Sequence, residues 1–110
     1  MWKGGIIKIN DKGKSMKVIY KYELHPSDVG TGVFPVVMPH DAKYLHVGAQ
    51  GNQMFIWVEV DTESSTLEHT FEVFGTGHKM YEDMGVERKH IGSLMMSDGA
   101  LVFHVYHRTN

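Results

Sequence analysis

The chain has 110 residues, 42% of them hydrophobic and 22% charged, with a net charge of −2 when its eight histidines are neutral. That length suits one globular domain with a sizeable core, and no block of like charge marks a disordered tail. The scattered lysines and arginines form no stripe that would neutralise a phosphate backbone, which argues against nucleic acid. The lack of cysteine removes disulfides, thiol nucleophiles and cysteine-ligated zinc.

The first fifteen residues stand apart from the rest. Ile6–Ile9 is placed to pair with Val18–Tyr22 across Asn10–Gly13 as an extra hairpin. The alternative is that Met16 is the natural start and Lys12-Gly13 an in-frame reading of a purine-rich ribosome-binding sequence. Residues 16–110 then form a single β-rich domain. Period-2 alternation starts at once: Met16, Val18, Tyr20, Tyr22 and Leu24 share one side, Lys17, Lys21 and Glu23 the other, with Ile19 an exception. His25-Pro26-Ser27-Asp28 ends that strand.

Val33–Met38 reads as a short strand that Pro35 confines to an edge or a bulge. Pro39-His40-Asp41 turns the chain into Lys43–Ala49, where Leu45 and Val47 are expected to face inward. Gln50-Gly51-Asn52 is a hairpin loop, since glycine and asparagine tolerate positive φ. Gln53–Val60 is apolar on both sides, with Met54, Ile56, Val58 and Val60 on one and Phe55 and Trp57 on the other, as in a central strand.

Leu67–Phe74 follows a polar loop, with Leu67, His69, Phe71 and Val73 on one face. Gly75-Thr76-Gly77 breaks the pattern, and His78–Lys89 reads as a loop with at most one short helical turn. His90–Met96 and Ala100–His107 close the chain as a hairpin around Ser97-Asp98-Gly99, where Asp-Gly is a strong turn signal. The whole predicts a mainly β fold: one antiparallel β-sandwich or partly open barrel of six to seven strands. No apolar run approaches the roughly 20 residues of a membrane helix, and the N-terminus lacks a signal-peptide pattern, so a soluble cytoplasmic protein is expected.

Few motifs carry chemistry. His104 and His107 lie three apart, which on a strand places them on opposite faces, so they cannot share a metal; no metal or cofactor is assigned. Gly75-Thr76-Gly77-His78-Lys79 can be read in two ways. Its glycines can turn successive amides into an anion nest with His78 and Lys79 supplying charge, or they simply supply positive φ at a strand end. His25-Pro26-Ser27 resembles half of a paired phosphoesterase motif whose second copy is missing, because Thr70 directly follows His69. No serine sits on a nucleophile elbow. The carboxylates Glu59, Asp61, Glu63, Glu68 and Glu72 read as a solvated face, and Met80, Met84, Met95 and Met96 as core fillers.

Taken in order, Tyr20-Lys21-Tyr22-Glu23-Leu24, Val37-Met38-Pro39, Phe55-Ile56-Trp57-Val58, Phe71-x-Val73-Phe74-Gly75-Thr76-Gly77-His78 and Leu101-Val102-Phe103-His104-Val105 form a distinctive succession. It resembles a family of small uncharacterised proteins encoded mostly by bacteriophages and prophages, over nearly all of Met16–Tyr106. The resemblance implies an accessory protein in the host bacterial cytoplasm and brings no catalytic residues with it. The expectation is a non-enzymatic module that binds a host or defence component, either a protein surface or a small anionic ligand. Gly75, Thr76, Gly77, His78, Lys79 and His104 are its candidate ligand-binding residues. A homodimer is expected to cover the outer, apolar side of Gln53–Val60. The alternatives are a nucleotide-ligand binding or hydrolysing protein using the Gly75–Lys79 loop with His104, and a minor virion or assembly component.

Overall fold

The computed structural model describes residues 16–26, 32–81 and 85–110, so the expected N-terminal hairpin and Met84 lie outside the described residues. Seven strands follow one another: β1 (Lys17–Leu24), β2 (Val33–Pro39), β3 (Lys43–Gln50), β4 (Gln53–Asp61), β5 (Thr66–Gly75), β6 (Arg88–Met96) and β7 (Leu101–Arg108). They form two antiparallel sheets, one in the order β1-β4-β3 and one in the order β2-β5-β7-β6. The mainly β sandwich is therefore present and no barrel closes. Among the described residues no helix is long and apolar enough to cross a membrane, which says nothing of a β-barrel.

Alternation explains what lies between the sheets. Met54, Ile56, Val58 and Val60 of β4 meet Phe71 and Val73 of β5, Val105 of β7, Leu94 of β6 and Phe34 and Met38 of β2 in one buried cluster. Burying such side chains contributes about 1.5–3 kcal/mol each before the cost of ordering them. The turns obey local rules. Gly51 takes φ 63° in the two-residue loop between Gln50 and Gln53, and Ser97, Asp98 and Gly99 take φ of 54°, 55° and 87°. The Gly99 amide closes that turn by donating to the Met96 carbonyl at 3.1 Å.

Four expectations need correcting. Leu45 does not face inward: a bulge between Tyr44 and His46 leaves it exposed and turns Tyr44, with Val47, toward the core. The carboxylates are not uniformly solvated either. Asp61 is buried and accepts the Glu63 amide at 2.9 Å, while Glu72 is buried between two arginines. The methionines divide as well, for Met96 packs against the core whereas Met80 and Met95 are exposed. Finally, Phe55 and Trp57 are only half exposed, because the Lys21 ammonium lies 4.5 Å over the Phe55 ring and His46 sits 5.5 Å from Trp57.

The sheet β2-β5-β7-β6 also has a small packed layer on its outer side. Phe74 is buried there against Tyr106, at 5.7 Å, with the Arg88 guanidinium 5.3 Å over its ring. Arg88 reaches Glu72 through Nε at 2.9 Å and the Tyr81 carbonyl through Nη2 at 2.9 Å, tying the stretch after β5 onto the sheet. Arg108 approaches the second oxygen of Glu72 at 3.4 Å.

Candidate functional site

His104 and His107 part company as strand geometry requires. His107 points into the sandwich, where it forms one aromatic cluster with Tyr44, His69 and Phe71. The Pro39 carbonyl, 3.0 Å from Nε2 of His69, can only accept, so Nε2 carries the proton of the neutral ring. Nδ1 is then bare and accepts the Tyr44 hydroxyl at 2.6 Å. Desolvation pushes the Tyr44 hydroxyl up to about 12 and holds both imidazoles below the ordinary histidine range.

The sign of the resulting pH dependence follows. Each histidine binds a proton more readily in the unfolded chain than in the fold, so stability rises with pH through the histidine range. Stability is expected to be full above the unfolded value near 6.5 and to decline as acid protonates the unfolded chain first. Urea unfolding from pH 8 to 5 checks this, and His107→Gln should flatten the slope. A midpoint that does not move, or rises, over that range would contradict it.

On the outer side of the same sheet, His104 lies between two hydroxyls. Thr76 Oγ1 stands 2.8 Å from its Nε2 and Ser93 Oγ 2.7 Å from its Nδ1. A neutral imidazole has one donor and one acceptor nitrogen, so one hydroxyl donates to the ring and the other accepts from it. The chain of groups continues from Ser93 Oγ to Nε2 of His90 at 3.2 Å, and His90 leans edge-on against Tyr106 at 5.2 Å. Thr76, Ser93 and His90 are all exposed.

Sequence reasoning brought Thr76 and His104 forward but missed Ser93 and His90. On a regular strand residues three apart oppose each other. The bulge between His90 and Gly92 adds Ile91, and this turns His90 and Ser93 to the same side. A glycine inside a strand pattern is the signal that could have found it.

The Gly75–Lys79 loop behaves differently from an anion nest. The Gly75 amide donates to Nδ1 of His78, the Thr76 amide to the Val102 carbonyl and the His78 amide to the Gly75 carbonyl, at 3.0, 3.2 and 3.0 Å. Three of its amides are thus used within the fold. The His78 ring lies so close over Gly75 that a Cβ there would stand 2.9 Å from it, and Gly77 takes φ 92°. His78 and Lys79 are exposed. The loop contributes the Thr76 hydroxyl to the array, and through Gly75 and Gly77 it sets that side chain beside His104.

Fold and site together define a small antiparallel β-sandwich domain with a surface histidine–hydroxyl array formed by β6, β7 and the loop after β5. The chain belongs to the family described as Domain of unknown function (DUF7352), which it matches over residues 16–110. No curated protein and no solved structure matches it.

Proposed function

We propose that this domain is a non-enzymatic, phage-encoded binding module that captures a small anionic ligand in the infected bacterium, at the array of Thr76, His104, Ser93 and His90. The observation behind the reading is the His104 ring held between two hydroxyls. When the His104 ring carries both protons it donates to Thr76 Oγ1 and to Ser93 Oγ, so both hydroxyl protons can turn outward to the oxygens of one anion, with the charge of the imidazolium behind them and His90 beside them. The Ser93–His104 spacing also suits a nucleophile and its base. Against catalysis, Ser93 lies within a strand rather than on a tight elbow, and the far nitrogen of His104 meets a neutral hydroxyl instead of a carboxylate.

Calorimetry with inorganic phosphate, AMP and ADP, followed by recovery of the nucleotide after denaturation, tests the proposal. Saturable binding with nucleotide recovered intact is expected. His104→Ala should weaken it roughly tenfold or more, because the two hydroxyls lose the ring that aims them and the charge behind them, an effect on the scale of one hydrogen bond to a charged group. Hydrolysed ADP would replace the binding module with an enzyme, and absence of binding to all three would remove the anion reading.

A further inference from the structure

Each sheet has two edges, and three of the four are interrupted by proline or by a bulge. Pro35 and Pro39 remove amide donors from β2. The edges of β3 and β6 are broken by bulges at Leu45 and Ile91 and lie against each other, where Gly92 approaches Val47. β1 has neither device. Its register against β4 runs unbroken from Lys17↔Asp61 to Leu24↔Met54, and its sequence contains no proline. On the far side of β1 no strand pairs with it among the described residues.

The direction of its free groups can be worked out. The Thr62 amide donates to the Met16 carbonyl, so Met16 and, by alternation, Val18, Tyr20, Tyr22 and Leu24 direct their main-chain groups toward β4. Lys17, Ile19, Lys21 and Glu23 therefore direct theirs to the open edge. Ile19 is 61% exposed, and Tyr20 is 44% exposed although its side chain points to the core side of the sheet.

We propose that this edge binds a second copy of the chain, β1 against β1, antiparallel about a two-fold axis at Tyr20. Side chains on one face must meet side chains on the same face, which limits the registers to those pairing odd residues with odd residues. With the axis at Tyr20, Lys17 lies opposite the partner's Glu23, Ile19 opposite the partner's Lys21, and Val18 opposite the partner's Tyr22. Two opposite-charge pairs result, and all four outward-directed residues fall in hydrogen-bonded positions, giving about eight main-chain hydrogen bonds. Moving the axis to Lys21 would instead set the two Lys21 side chains against each other. An axis at Tyr22 would also set Lys21 opposite the partner's Glu23, but it would keep only Tyr20–Leu24 of the strand in register, so charge and paired length together select the register centred on Tyr20. The product is a continuous six-stranded sheet, β3-β4-β1-β1-β4-β3, in which each Tyr20 meets the other across the axis.

Sedimentation equilibrium on the full chain tests the proposal, with circular dichroism confirming that each variant is folded. The unaltered chain should show a concentration-dependent dimer. Lys17→Glu alone and Glu23→Lys alone should each weaken it roughly tenfold, because like charges then meet twice. Carrying both substitutions on one chain should restore it. An equimolar mixture of the two single variants should also form dimers, since each reversed side chain then faces an opposite charge. A monomer at every concentration would overturn the proposal and assign the edge to another occupant, such as the Ile6–Ile9 segment of the same chain. A dimer unmoved by either reversal would overturn it as well, by placing the interface elsewhere.

Discussion

Glu72→Gln should lower the unfolding free energy by about 3–5 kcal/mol, the scale of breaking a buried ion pair from one side. The carboxylate lies on the outer side of β5, with its side chain 9% exposed, and it is shared by Arg88 and Arg108. The Arg88 side chain, at 8% exposure, is as deeply placed as the acid it meets. Taking one negative charge from between two guanidiniums leaves Arg88 desolvated and Arg108 partly so, with their mutual repulsion no longer offset. Glu59→Gln provides the contrast. Glu59 meets Lys17 at 3.8 Å with both side chains largely in water, and such a pair contributes at most about 1 kcal/mol. Urea midpoints for the two variants should differ several-fold in displacement. If Glu72→Gln moved the midpoint no more than Glu59→Gln does, the cluster would not hold the β5–β7–β6 layer together. Replacing Glu72, Arg88 and Arg108 together with apolar residues should recover much of the loss, because the charges then vanish in step.

The strands were legible because alternation and turn chemistry are local. Each strand has ends within two residues of those expected, and both tight hairpins fall at Gly51-Asn52 and at Ser97-Asp98-Gly99. The candidate site was half legible. Thr76 was singled out for its glycine neighbours and His104 for its place on a strand, and the fold sets them 2.8 Å apart. His90 and Ser93 were hidden by a bulge, which inverts the facing of every residue beyond it and which one glycine announces only faintly. Glu72 was hidden for another reason. Its partners Arg88 and Arg108 lie 16 and 36 residues away, and no local pattern reports which carboxylate of an acidic stretch will meet two distant arginines. The inward turn of Tyr44 in place of Leu45 belongs with the first case, since it too rests on a bulge.

Those two bulges meet where the sheets close, and a second large effect is expected there. Gly92 lies on β6 directly over β3, and a Cβ added to it would stand 2.8 Å from Cγ2 of Val47. Val47 cannot give way cheaply, because it is buried and its branched side chain is stiff about χ1. Gly92→Ala should therefore cost about 1–3 kcal/mol as the two edges are forced apart. Gly48→Ala should cost less, though its added carbon would also come close, at 3.1 Å, to Nε2 of His46. That contact is the far end of an exposed side chain, which can swing aside. The decisive measurement is a double-mutant cycle. Val47→Ala alone opens a cavity, yet combined with Gly92→Ala it makes room for the new methyl, so the pair should be less destabilising than the sum by about 0.5–2 kcal/mol. Strict additivity would mean that β6 does not rest on β3 through this contact. With coupling, the glycine between the bulge at Ile91 and Ser93 is the residue that lets the two sheets touch. The closure of the core beside the exposed array then depends on one missing side chain.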